Sequence, residues 1–82
     1  MSYFYILQSE TDNTFYYGYT NDLKRRIKDH NSGKTKSIKC KIPYKLIYYE
    51  AYYNKRLARK RELHIKKSGK ERKLLLKRLG FE

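Results

Sequence analysis

The chain lacks tryptophan, carries a single cysteine, and has no apolar run near the ~20 residues of a membrane span. Cys40 has no internal partner for a disulfide, which fits a reducing compartment. Set among lysines, it reads as incidental rather than nucleophilic. One cysteine and two histidines cannot complete a tetrahedral zinc site. No basic segment precedes an apolar stretch near the start, so no secretory leader is visible and a cytoplasmic location is expected. Repeats, linkers and low-complexity tracts are missing as well. The expectation is one domain over residues 1–82, near the size at which a single core only just suffices.

Acidic residues are also scarce. Eight Asp and Glu stand against 21 Lys and Arg, giving a net charge of +13 and a pI near 9.9. Such an imbalance implies a polyanionic partner, with nucleic acid the default and an anionic membrane surface the rival. The charge is unevenly placed. Every Lys and Arg follows Leu23, and residues 1–22 carry only Glu10, Asp12 and Asp22. With ten Tyr and three Phe in the whole chain, this describes a nearly uncharged aromatic hairpin followed by a cationic remainder.

Within that frame the elements follow. "YFYILQS" (3–9) is aromatic and β-branched and reads as a strand; "ETDN" (10–13) is turn chemistry; "TFYYGY" (14–19) returns as a second strand. Gly18 marks a bend or a close backbone approach. Asn21 can cap a helix over 22–31 that Gly33 stops. Residues 34–43 form a lysine-rich loop ending at the only proline. "YKLIYYEAYY" (44–53) is the third strand, and Asn54 caps a helix over 55–67. Ser68-x-x-Glu71 matches a capping box opening a last helix, 70–79, closed by Gly80. The fold class is α+β: a three-stranded antiparallel sheet flanked by three helices.

At about 100° per residue, Leu23 and Ile27 set the buried stripe of the first helix. Arg26 and His30 flank that stripe, whereas Lys24, Arg25, Lys28 and Asp29 face away. A guanidinium aimed at a sheet is costly unless paired or lining a polar cleft. The bland reading of Arg26 is a side chain snorkelling past the core edge, and of His30 a C-terminal residue complementing the helix dipole. On the second helix, Leu57, Ala58 and Ile65 set the buried face and Glu62 lies at its edge. It is the one acid in "KRLARKRELHIKK", among seven Lys and Arg. It is either half of a surface Glu62–Lys66 pair or a carboxylate held at a cleft to bind a divalent cation. Glu50, in the third strand, is its competitor.

These residues resemble a known family. "YFY" (3–5), ten residues, then "YYG" (16–18) resembles the paired motif of the GIY-YIG nuclease superfamily. Tyr3 and Phe4 replace the first Gly and Ile, and Tyr17 the second Ile, while Tyr5, Tyr16 and Gly18 remain. "YTNDLKRRIKDH" looks like the family's first helix, with its arginine at Arg26 and histidine at His30. "ARKRELHIKK" looks like the segment that carries the metal-binding glutamate, here Glu62. Length and spacing are most similar to the small single-domain bacterial group.

The resemblance implies a metal-dependent endonuclease hydrolysing DNA phosphodiesters with Mg²⁺ or Mn²⁺, structure- or sequence-selective, and without a small-molecule cofactor. It implies Glu62 on the metal, Arg26 on the phosphate, and Tyr5 or Tyr16 as the base, with His30 assisting. Nearby cations would favour a phenolate at either tyrosine. Lys24, Arg25, Lys34, Lys36, Arg59 and Lys66 are the expected nucleic-acid contacts. Tyr3, Tyr17, Tyr48, Tyr49, Tyr52 and Tyr53 are by default core, their hydroxyls satisfied. The alternative is a non-catalytic nucleic-acid-binding module of the same fold. A membrane partner is not expected, because no helix sets an aromatic face against a basic one along its length.

Overall fold

A computed structural model describes residues 1–33 and 40–81. In chain order they form β1 (Ser2–Ser9), β2 (Phe15–Thr20), α1 (Leu23–Asn31), β3 (Tyr44–Tyr52), α2 (Lys55–Lys67) and α3 (Gly69–Arg78). The sheet order is β2-β1-β3, with both pairings antiparallel. The α+β architecture read from the sequence is the one observed.

The hairpin is closed by side chains. Ser9 Oγ accepts from the N–H groups of Thr11 and Asp12 at 3.1 and 3.3 Å, and Asp12 Oδ1 accepts from Thr14 N at 3.0 Å. Asn13 takes a positive φ of 63°, a conformation that asparagine tolerates better than most residues. The cap of α1 falls one residue later than expected. Asp22, not Asn21, is extended, and its carboxylate accepts from Arg25 N at 3.1 Å. Thr20 Oγ1 holds the Asp22 N–H at 3.1 Å, which carries the extended backbone past Asn21. Asn54 caps α2 as expected. Ser68 ends α2 and begins α3: its N–H donates to His64 O at 3.0 Å and its Oγ accepts from Glu71 N at 3.2 Å. With that N–H spent on α2, the return half of a capping box has no donor to use.

β1 is central and buried on both faces, so alternate side chains feed two clusters. Phe4 and Ile6 meet Ile65 of α2 and Leu75 of α3; Tyr5, Leu7 and Tyr44 meet Leu23 and Ile27 of α1. On α2 the buried stripe is Ala58, Glu62 and Ile65, whereas Leu57 is exposed. Those three recur at the i, i+4, i+7 positions of one face, which leaves Leu57 about 100° away from Ala58. Two tyrosines expected in the core also lie outside it, Tyr49 at 52% and Tyr53 at 87% exposure.

Two polar ties hold the layers in register. Asn31, the last residue of α1, donates Nδ2 to Tyr44 O at 3.0 Å and accepts from Tyr44 N at 2.6 Å. It satisfies both backbone groups at the start of β3, as a neighbouring strand would. On the other face, Glu50 accepts from the hydroxyls of Tyr48 and Tyr52 and from Arg61 Nε (2.9 Å) and Nη2 (3.2 Å). Burial raises the Glu50 pKa, but the bonds from Arg61 and the tyrosines outweigh it and hold the carboxyl below its ordinary value. Asn31→Ala should cost about 1–3 kcal/mol, because it strands the N–H and C=O of Tyr44 at once. Urea denaturation measures this against Ser32→Ala, an exposed control whose change should stay within about 0.5 kcal/mol.

Candidate active site

A concavity of about 350 Å³ is lined by residues from four elements. β1 supplies Tyr5, β2 supplies Tyr16 and Gly18, α1 supplies Arg26, and α2 supplies Lys55 and Glu62. Thr20 and Asn21, at the β2–α1 junction, complete its rim together with Tyr19.

Its floor depends on the pairing of Tyr5 with Gly18 across β1 and β2. A Cβ built on Gly18 would overlap the Tyr5 hydroxyl and lie 2.6 Å from its Cζ. Glycine is required here for space, so that the phenol can lie across the neighbouring strand. The ring is fully buried, and its hydroxyl meets His30 Nε2 at 3.0 Å and Arg26 Nε at 3.3 Å. Tyr16 stacks on Tyr5 with centroids 6.4 Å apart and meets His30 edge-on at 4.6 Å. Arg26 and His30, one helical turn apart on α1, therefore converge on one oxygen.

One proton on this cluster follows from elimination. Arg26 Nε can only donate, so Tyr5 Oη accepts from it. His30 Nδ1 is buried and has no partner. Tyr5 Oη thus accepts from Arg26 Nε and shares its second close contact with His30 Nε2.

Electrostatics follow the same geometry. Burial, helped by the nearby charge of Arg26, pushes His30 down to about 4, so the ring is neutral at neutral pH. Burial pushes Tyr5 up to about 12 despite the opposing bond from Arg26. The resting phenolate expected from neighbouring cations is thus not formed at Tyr5, because the desolvation of a fully enclosed ring outweighs them. Arg26 is held above its ordinary value, first by its bond to Tyr5, and remains charged.

Glu62 is more enclosed than an edge position implies, with its side chain 11% exposed. Lys66 Nζ donates to its Oε2 at 3.3 Å, so the helical ion pair forms and the same carboxylate lines the cleft. Its competitor Glu50 is engaged by Arg61 and two tyrosines on the Phe4 face. Among the described residues there is no cluster of three or more His, Cys, Asp or Glu. One carboxylate beside phenolic oxygens suits a hard cation that keeps most of its waters, and Glu62 could hold such an ion. It does not suit a metal that demands nitrogen or sulfur ligands.

Of the expected nucleic-acid contacts, Lys24, Arg25 and Arg59 are exposed, and Lys66 is exposed but paired with Glu62. Lys34 and Lys36 lie outside the described residues. Lys55 was missed by sequence reasoning. The signal was its spacing: seven positions before Glu62 on one helix, hence on the same side of it.

The histidine offers a direct check. Its folded value lies below the 6.5 of an unperturbed ring, so the unfolded chain takes up the proton first. The stabilisation should be complete above about pH 6.5 and fall as pH drops through 4. His30 ring resonances in NMR should titrate near 4, with thermal midpoints declining over the same window. A midpoint at the unperturbed value would mean that the ring is solvated.

A family profile described as the GIY-YIG catalytic domain matches residues 1–74. A UPF0213 protein of Clostridium perfringens is 46% identical over 77 residues, spanning 93% of this chain and 82% of the relative. The UPF0213 protein YazA of Bacillus subtilis is 42% identical over 74 residues, covering 89% and 74%. The solution NMR structure of a UPF0213 protein from Bacillus halodurans superimposes with a TM-score of 0.57 at 36% identity, covering 98% of this chain and 86% of that one. None of these names carries an activity. The matched span contains Tyr5, Tyr16, Gly18, Arg26, His30 and Glu62, and the chain belongs to the GIY-YIG family, alongside the small bacterial UPF0213 proteins.

Proposed function

We propose that residues 1–82 act as one domain that hydrolyses phosphodiester bonds in DNA, using Mg²⁺ or Mn²⁺. Family membership already implies a nuclease-type domain. The observation that supports the finer reading is that Arg26 of α1 and Glu62 of α2 line one cleft whose floor is the Tyr5–Tyr16 pair. Among the described residues no helix is long and apolar enough to cross a membrane. Cytoplasmic nucleic acid belongs to the same reading.

The roles follow from position. Arg26 commits Nε to Tyr5 and is further bonded to Tyr16, so its guanidinium is held in orientation. Its remaining N–H groups take the non-bridging oxygens of a phosphate. Lys55 adds a second cation at the rim. Glu62 holds the divalent ion, which when bound stabilises negative charge on the scissile phosphate and leaving oxygen. Tyr5, on the cleft floor, holds Arg26 and His30 in place through its hydroxyl. Tyr16, partly buried beside Tyr5 on the cleft floor, is the tyrosine assigned as the base that receives the water's proton. His30 is neutral at neutral pH and acts by holding Tyr5. One observation favours the alternative, a binding module without turnover: Lys66 already neutralises Glu62.

Single-turnover cleavage of saturating single-stranded, duplex, flap and branched DNA, with and without Mg²⁺, separates the two. Glu62→Gln should abolish metal-dependent cleavage while leaving DNA affinity and thermal stability close to wild type. Wild-type rates in that variant would make Glu62 only the partner of Lys66.

The neighbouring arginines give the sharper contrast. Arg26→Ala should lose about 10²-fold or more in single-turnover rate, the scale for removing one transition-state donor. Arg26→Lys should recover only part of that, since an ammonium lacks the fork. Arg25→Ala should weaken binding modestly and flatten its salt dependence, with the saturated rate unchanged. Equal losses at both positions would reduce α1 to a solvated basic face.

A further inference from the structure

The cleft does not end at Tyr5. Two adjacent rows of residues cross the sheet on its α1 face. One row is Gly18, Tyr5 and Tyr49; the next is Thr20, Tyr3 and Ala51. Gly18, Tyr5 and Thr20 line the cleft, so Tyr49 and Tyr3 continue its floor toward β3. Helix α1 covers the other end of this face, packing its Leu23 and Ile27 with Leu7, Tyr44 and Leu46. Tyr49 is 52% exposed and belongs to neither core cluster.

The two rings are not scattered surface aromatics. Tyr3 meets Tyr49 edge-to-face, with centroids 5.9 Å apart and planes at 74°. They are diagonal neighbours across β1 and β3, and the small side chain of Ala51, directly opposite Tyr3, leaves room for the contact. Tyr3 braces Tyr49 while half of Tyr49 stays open. Tyr3 also stands where the family's first triplet has glycine, so this chain fills a position that carries no side chain in the motif. Along β1, Tyr3 lies only about 7 Å from Tyr5.

We propose that Tyr49, braced by Tyr3, stacks on an unpaired nucleobase next to the phosphate held in the cleft, so that the preferred substrate is single-stranded at the site of cleavage. The proposal rests on the phosphodiester reading of that cleft. Charge complementarity selects the occupant: the platform adjoins a pocket edged by Arg26 and Lys55 in a chain of net charge +13. A strand whose phosphate enters that pocket and that runs on toward β3 lays its next base over the neighbouring floor. A paired base has both faces covered by its own stack, whereas an unpaired one offers a face to a ring. Tyrosine stacks without reading sequence, so discrimination is between unpaired and paired strands.

The test uses the full chain in chelator, where binding is read without cleavage. Fluorescence anisotropy is measured on labelled oligo-dT, on an abasic strand of equal length and phosphate count, and on a duplex. Wild type should bind oligo-dT about tenfold or more tightly than the abasic strand, the scale for one stacked base. Tyr49→Ala should erase that difference and leave abasic and duplex affinities unchanged; Tyr49→Phe, which keeps the ring, should preserve it. Circular dichroism melts confirm that each variant is folded. Wild-type oligo-dT binding by Tyr49→Ala, or an equal loss on the abasic strand, would overturn the proposal. So would sedimentation showing a wild-type dimer that Tyr49→Ala dissolves, because the face would then be a contact between copies. Failure of the hydrolysis reading looks different: base-dependent binding without metal-dependent product.

Discussion

The Tyr5 hydroxyl is the point on which the molecule is organised. It comes from the central strand, reaches over the one residue in β2 that can have no side chain, and bonds to two residues one turn apart on α1. Sheet and helix are thereby tied at a polar centre inside an otherwise apolar interface. The cost is borne by His30, which is buried with one nitrogen unpaired. A lone buried imbalance of this kind is tolerated where the surrounding packing over-determines it. Here Tyr5, Tyr16 and Tyr44 enclose the ring on several sides. The result is an arginine whose orientation is fixed before any ligand arrives.

The other half of the cleft is set from the opposite face. Arg61 and Glu62 are neighbours on α2 but point in different directions. Arg61 is locked to Glu50 of β3 and lies 5.9 Å from the Phe4 ring. That lock sets the rotation of α2 about its own axis, and Glu62 is carried to the cleft as a consequence. Two acids that look alike in sequence thus divide the work: Glu50 fixes a helix and Glu62 faces the solvent-filled pocket.

Much of this was legible in the residues. Strand periodicity, turn chemistry and helix caps give the α+β order, and the helical angle alone separates Arg25 from Arg26. What could not be read were effects that depend on distance across the sheet. The elevation of Tyr5 needs its enclosure, which no local pattern reveals, and a count of nearby cations points the wrong way. The apolar run predicts Tyr49 and Tyr53 as core because it does not say which end of a sheet a helix leaves bare. Leu57 was misplaced by a shift of one residue in a stripe that includes a glutamate, which hydrophobic periodicity does not count. Lys55 was visible only once Glu62 had been chosen as the reference for spacing.

Ser68 has a mechanical consequence. Because one residue closes α2 and opens α3, there is no slack between them. The two helices meet as an elbow whose joint is made of backbone bonds, and Arg72 braces it by donating to the carbonyls of Ile65 and Lys66. The angle between α2 and α3 is therefore set at one residue, and α3 cannot swing away from α2 without giving up the bonds that end the helix carrying Glu62.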